Sequence, residues 1–268
     1  MYVKPLPEHN HLLAALPPEA QDRLFPHLEL VTMPLRGILY ECGRPRRHVY
    51  FPTDSIISVQ YLMQDGASTA ILVVGNEGLL GVTLSMGEDS APSRSLVQSA
   101  GYAYRLPRKR VMEEFNRHGE FMLLMFRYTQ ALITHVAQTA VCNRHHTIDQ
   151  QLCRWLLLSM DRLSHNRLTM TQAFIGNMLG VRREGVTQAA TKLRNLGVIS
   201  YHRGLLEVLD RPKLETLSCE CYEAVLKETK ILLNYLPQRQ TIKNNESISK
   251  VTLKTPQDAM PARPKCVS

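Results

Sequence analysis

The stretch from Leu168 to Leu209 constrains this chain more than any other, because its apolar spacing and its glycines admit few folds. Phe174, Ile175, Met178 and Leu179 recur at helical spacing and predict a helix from about Met170 to Leu179. Thr169 and Gln172 stand three apart, as in a capping box. Gly176 is small where two helices must approach, and Gly180 supplies the positive φ of a sharp turn. A second helix follows from Arg182 to about Leu196, burying Val186, Ala189, Ala190, Leu193 and Leu196, with Gly197 at its C-terminal cap. Ser200 to Leu209 alternates around His202-Arg203-Gly204 and predicts a hairpin.

Helix, tight turn, helix and hairpin together make a winged helix-turn-helix, whose second helix enters a DNA major groove. Its exposed positions carry Arg182, Arg183, Glu184, Thr187, Gln188 and Lys192, and the hairpin adds Arg203. Arginine pairs with guanine in a bidentate way, glutamate accepts from cytosine and glutamine pairs with adenine. Arg182 stands where a helix favours Ser, Thr, Asp or Asn. The plainer alternative is an amphipathic helical hairpin with a solvated charged face. The spacing, the glycine turn, the wing and the basic face agree on DNA.

The rest of the chain is compatible with that partner. A net charge of +8 over 268 residues favours a polyanion. The apolar fraction, 44%, fills proper cores. No apolar run approaches the roughly 20 residues of a spanning helix. The first residues lack the apolar core of a signal peptide, so a cytoplasmic location is expected. The six cysteines include no C-x-x-C pair, so neither a structural metal site nor an iron–sulfur motif is expected. Cys219 and Cys221 stand two apart, and on a helix such residues diverge. His145 and His146 likewise diverge as neighbours and fit a polar hinge, Asn143 to His146.

Residues 10–27 predict short helices broken by Pro17, Pro18 and Pro26. From about Leu28 to Leu106, seven short β-prone runs alternate with turn residues, which indicates a small antiparallel roll or sandwich. Asp65-Gly66 is its clearest hairpin turn. A glycine-containing loop between Gly75 and Gln98 could hold an anion, with Arg94 as partner and Ser95 as a nearby donor. A short helix, Lys109 to Asn116, precedes a long one from about Glu120 to Asn143. Met122, Phe126, Thr129, Ile133, Val136 and Ala140 are spaced 4-3-4-3-4 along it, with Met125 and Leu132 alongside, and predict a homodimer seam. Thr147 and Gln150 form another capping box and open a helix to about Leu163. Pro212 to Leu236 reads as a last helix ended by Pro237, and residues 237–268 as a polar, disordered tail.

The order is α+β: an N-terminal antiparallel β-roll with short N-terminal helices (10–118), a dimerisation helix (119–143), a C-terminal winged helix-turn-helix domain with a further helix (147–236), and the tail. This order resembles the Crp/Fnr superfamily of transcription regulators, over about residues 12–235. Its best motif is the run from Gly176 to Val186, a glycine turn followed by an Arg-Glu pair. The resemblance implies a roll similar to cyclic-nucleotide-binding domains, and base contacts by Arg183 and Glu184. Gln188 falls where the cyclic-AMP-responsive type carries another base-contacting arginine, and Arg182 replaces the family's usual serine. In the effector cassette, Gly78, Leu79 and Gly81 match its glycine turn, and Arg94-Ser95 its phosphate-gripping pair. Leu79 replaces the glutamate expected on the ribose, which leaves a buried hydroxyl unpaired at about 1–3 kcal/mol. Ordinary cyclic-AMP control is therefore not expected, while a small anionic effector stays open. Residues 1–41 contain no cysteine, which removes the iron–sulfur cluster of the oxygen-sensing members. Haem leaves no readable spacing, so the cofactor is unknown.

The function expected is a sequence-specific, homodimeric DNA-binding transcription regulator on a roughly palindromic site, not an enzyme, with RNA polymerase a further partner. The alternative is a ligand-binding protein or cupin-like metalloenzyme on the roll, but only His48 lies clearly among its strands.

Overall fold

The computed structural model describes residues 4–64, 68–87 and 93–245, with side chains as far as Asn234. The Asp65-Gly66 turn and residues 246–268 of the expected tail lie outside the described residues.

Two short helices, α1 (His11–Ala14) and α2 (Pro18–Leu24), open the chain. Asn10 fixes them. Its Oδ1 accepts from the backbone N–H of Leu12 and Leu13, while its Nδ2 donates to the carbonyls of Pro52 and Gly78, both at 2.8 Å. All seven β-prone runs become strands: β1 (Glu29–Met33), β2 (Ile38–Tyr40), β3 (His48–Pro52), β4 (Ile56–Leu62), β5 (Ser68–Val74), β6 (Ser93–Ser99) and β7 (Gly101–Pro107). They pair antiparallel in two sheets, ordered β1-β7-β3 and β2-β6-β4-β5. Met33, Tyr40, Ile57, Leu80, Val97 and Ala103 fill the space between the sheets. On β6 this alternation puts Ser93, Ser95 and Val97 on the buried side and Arg94 and Leu96 on the other.

α3 (Arg108–Phe115) is tied to α2 by Arg23, whose guanidinium makes two bonds to the buried Glu114 carboxylate, at 2.8 and 2.6 Å. α4 (Glu120–His145) is the expected long helix. Phe121, Leu124, Met125 and Tyr128 pack its inner face on Leu12, Leu16, Leu79 and Leu84. Tyr128 donates from its hydroxyl to the Leu79 carbonyl at 2.9 Å. A Cβ on Gly78 would meet that hydroxyl at 2.4 Å, so the glycine is what lets the ring in.

α5 (Ile148–Met160) starts on the expected Thr147–Gln150 capping box. β8 (Arg167–Thr169), α6 (Gln172–Leu179), α7 (Arg183–Asn195), β9 (Ile199–His202) and β10 (Leu205–Val208) follow, with the sheet ordered β8-β10-β9. Val186, Ala189, Ala190 and Leu193 join Leu152, Leu156, Ile175 and Leu206 in one core. The sequence puts the cap of α6 at Thr169; the structure puts it at Thr171, whose hydroxyl accepts from Phe174 N–H at 3.2 Å. Thr169 instead pairs with Leu205 in the sheet, and a residue in a ladder cannot also turn into a helix. Residues 211–236 are not one helix either. α8 (Arg211–Leu217) and α9 (Cys221–Asn245) are separated by a non-helical junction at residues 218–220. α9 also continues through Pro237, where the sequence ends it: a proline gives up one backbone donor, and the helix goes on without that bond.

Gly180 has φ +67°, and a Cβ there would come within 3.2 Å of Thr69 Cγ2 on β5. Gly180→Ala is expected to cost about 1–2 kcal/mol for the left-handed backbone alone. Urea unfolding of the full chain, read against wild type, checks this; an unchanged midpoint would contradict the geometry of the turn.

Candidate nucleic-acid interface

α7 carries the interface because its two faces are chemically opposite. Val186, Ala189, Ala190 and Leu193 face the core, so Arg182, Arg183, Glu184, Thr187, Gln188 and Lys192 are exposed by helical geometry. Arg182 is the N-cap, with β-region φ −68° and ψ 147° and no side-chain capping bond. The first backbone N–H groups of α7 are thus left without a side-chain acceptor from the cap, and such groups suit a phosphate. Arg203 (φ 50°) and Gly204 (φ 82°) form the wing tip, and two positive φ values in a two-residue loop are those of a type I′ turn. The groove between α6, α7 and the wing is lined by Gln172, Arg183, Tyr201 and Arg203.

The exposed residues are not equivalent. Among the described residues no ion pair holds Arg182, Arg183 or Arg203. Lys192 is paired with Asp149 in the first turn of α5, and that carboxylate holds its ammonium above the usual lysine range. Thr187 donates from its hydroxyl to Gln172 Oε1 at 2.8 Å or to the Arg183 carbonyl at 3.0 Å, which couples α6 to α7. Both side chains therefore have structural work of their own, which helical position alone does not reveal.

On α4 the expected seam divides. Phe126, Ile133, Val136 and Ala140 are exposed, Ile133 at 59%, and Met122 and Thr129 are half-buried between them. Met125 is a correction: it is 1% exposed and sits in the core of its own chain. Leu132 also leans on that core. Both stand beside the seam in sequence but on the helix face turned towards the roll.

Among the described residues, the five effector residues have different partners. Leu79 is packed under α4, Gly78 seats Tyr128, and Gly81 (φ +105°) leaves room for the Tyr40 hydroxyl. Arg94 lies on the far side of β6 from Ser95, and its guanidinium bonds Glu41 at 2.9 and 3.1 Å. That bond holds the Glu41 carboxyl below its ordinary range. Sequence reasoning misses the cation that does face inward. Arg46, 7% exposed, lies over the Tyr40 ring and donates to Thr83 Oγ1 at 3.2 Å and to Ser93 Oγ at 3.4 Å. Among the described residues, its Nε and Ser95 Oγ on β6 have no hydrogen-bond partner.

A second missed group lies at the far end of α4. Cys142, His146, Cys219 and Cys221 come together there, although the sequence gives no metal site and treats both the Cys219–Cys221 pair and the His145–His146 pair as divergent. Residues 218–220 are not helical, so Cys219 and Cys221 are free to point the same way. Burial pushes the Cys142 thiol up to about 12, and raises that of Cys219. The recoverable signal was Cys142 in the last turn of α4 and His146 four residues on, at the helix C-cap, where the His146 N–H still donates to the Cys142 carbonyl.

Residues 150–217 match the family model of the Crp-like helix-turn-helix domain. No curated protein matches the chain in sequence. Among solved structures it is similar to FixK2 from Bradyrhizobium japonicum (15% identity, 72% of this chain and 98% of that one, TM-score 0.59). It is similar also to a Crp/Fnr-family transcriptional regulator from Thermus thermophilus (16% identity, 71% and 98%, TM-score 0.57). A third is the c-di-GMP-responsive global regulator CLP from Xanthomonas campestris (12% identity, 71% and 98%, TM-score 0.56). The chain therefore has the fold of the Crp/Fnr regulators of known structure, and its residues 150–217 form a Crp-like helix-turn-helix domain.

Proposed function

We propose that this chain is a DNA-binding transcription regulator that acts as a homodimer on a roughly palindromic site, reading base edges with Arg183 and Glu184 and under control other than ordinary cyclic AMP. The observation that carries the proposal is the outer face of α7, where Arg183 and Glu184 are exposed at the helix N-terminus beside the wing cation Arg203. Arg182 and Gln188 add base or phosphate contacts. Two copies joined along α4 would present two such helices to major grooves about 34 Å apart. Regulation at a promoter then places RNA polymerase among the partners. Selection of bound duplexes from a randomised pool tests this. The expected result is two inverted half-sites with centres about 10–10.5 base pairs apart, bound by a dimer. A single half-site bound by a monomer would overturn it.

Control by an anionic effector, as proposed here, centres on Arg46 and not on Arg94, because Arg46 is the cation directed into the roll. Leu79 lies in the α4 core and offers no acceptor to a ribose hydroxyl. Cyclic AMP at saturating concentration is therefore expected to change DNA affinity less than about twofold, well under the 1–3 kcal/mol of ordinary allosteric coupling. Fluorescence anisotropy on the selected duplex measures it, and a tenfold enhancement would refute this account of Leu79.

A further inference from the structure

The last turn of α4 meets the α8–α9 junction at four side chains. Cys142 (0% exposed), Cys219 (5%) and Cys221 (0%) are buried together, and His146 closes the group. One donor atom from each lies within 4.8 Å of all the others. Cys142 Sγ is 3.6 Å from Cys219 Sγ, and Cys221 Sγ is 3.5 Å from His146 Nδ1. A tetrahedral ion with sulfur at about 2.3 Å and nitrogen at about 2.0–2.1 Å spaces its ligands about 3.5–3.8 Å apart. Both measured edges agree with that spacing. We infer that these four residues hold one zinc ion in a closed Cys3His site, which clamps the end of the long helix to the helices that follow the wing.

The chemistry of the donor set selects the ion. Three sulfurs and an imidazole favour zinc over magnesium or calcium, which take oxygen. Four protein ligands leave no open position, which is the pattern of a structural site. The surroundings complete it. His146 presents Nδ1 to the group while its Nε2 lies 3.3 Å from Glu220 Oε2, and a carboxylate on the distal nitrogen fixes tautomer and ring orientation. Gln138 Nε2 donates to Cys221 Sγ at 3.0 Å. On binding, the three thiols release their protons to solvent. Three thiolates, a neutral imidazole and a dication sum to a single negative charge, and the buried guanidinium of Arg154 acts on Cys142 with the opposite sign. The clamp lies at the joint between α4 and α5, His146 and Thr147, and ties the end of α4 to the start of α9.

The full-length chain, purified under reducing conditions, loaded with zinc and freed of excess, is expected to retain one zinc per chain by mass spectrometry. Cobalt added to the stripped wild-type chain is expected to give the visible bands of a tetrahedral ion and a sulfur-to-cobalt charge-transfer band, both abolished by zinc. Cys219→Ser is expected to lose the retained metal. Glu220→Gln is expected to keep it with affinity about 10–100-fold weaker, as for an outer partner of a ligating histidine. The cobalt titration uses no variant, so misfolding of a cysteine mutant does not obscure the answer. Four results overturn the inference: no retained zinc and no thiolate–cobalt spectrum; zinc still retained when Cys142 and Cys219 are both serine; iron with inorganic sulfide in its place; or a Cys142–Cys219 disulfide under those conditions.

Discussion

Arg183→Ala is expected to weaken binding to the selected duplex by about 1–3 kcal/mol, roughly 5- to 150-fold in Kd, and to relax preference at one base position. The expectation follows from position. Arg183 is the first helical residue of α7, exposed, and lines the groove shared with Gln172, Tyr201 and Arg203. A guanidinium there reaches a base edge, and a bidentate contact to guanine fails on any other base. Arg203→Ala should behave differently. A cation at the wing tip meets phosphate, so its loss lowers affinity alike on all sequences and reduces the salt slope by about one. Lys192→Ala separates the two roles from a third, because Lys192 is already paired with Asp149 and its loss should leave base preference intact. Competition binding of each variant against single-substituted duplexes at several salt concentrations measures all three. Unaltered base preference in Arg183→Ala would falsify the assignment.

The elements of this fold were legible where a local rule had no competitor. Each of the seven strand runs was bounded by Gly, Pro or Asp, and each became a strand. Gly180 announced its turn because a left-handed residue in that place is hard to supply otherwise. Thr169 shows the limit. A Thr and a Gln three residues apart looked like a cap, but the strand β10 took Thr169 for its ladder and the next threonine took over the helix. β8 itself is three residues long, too short for its single alternation to be read as a strand. Met125 fell on the wrong side of α4 because neighbouring heptad positions differ by only about 100° around a helix axis, and the roll claims one of them. Sites built across the chain are the least legible of all. Cys142 and Cys219 stand 77 residues apart, and nothing local says they meet. Arg94 and Arg46 show the same for the roll: motif likeness points to the first, but strand alternation turns it outward to Glu41 and leaves the second inside.

Ile133→Glu is expected to convert the dimer to a folded monomer and, with it, to abolish tight binding to the two-half-site duplex. In the single chain Phe126 is 49% exposed, Ile133 59% and Val136 37%, an apolar stripe on the side of α4 opposite Leu124 and Tyr128. Full burial of one such side chain is worth about 1.5–3 kcal/mol, and a twofold axis counts each residue twice. Glutamate at this position removes two of those contributions and brings two like charges into one seam, where neither finds a partner. The fold of each chain should survive, since Ile133 takes no part in the inner core, and circular dichroism at the wild-type melting temperature checks that. Sedimentation velocity reads the change of mass. The effect on DNA follows from geometry: a dimer holds its second recognition helix beside the second half-site, and losing that link lowers avidity by about 10²–10⁴-fold. Binding to an isolated half-site should hardly change, which distinguishes a lost partner from a damaged interface. A variant that stays dimeric with DNA binding intact would show that the exposed stripe of α4 is not where two chains join.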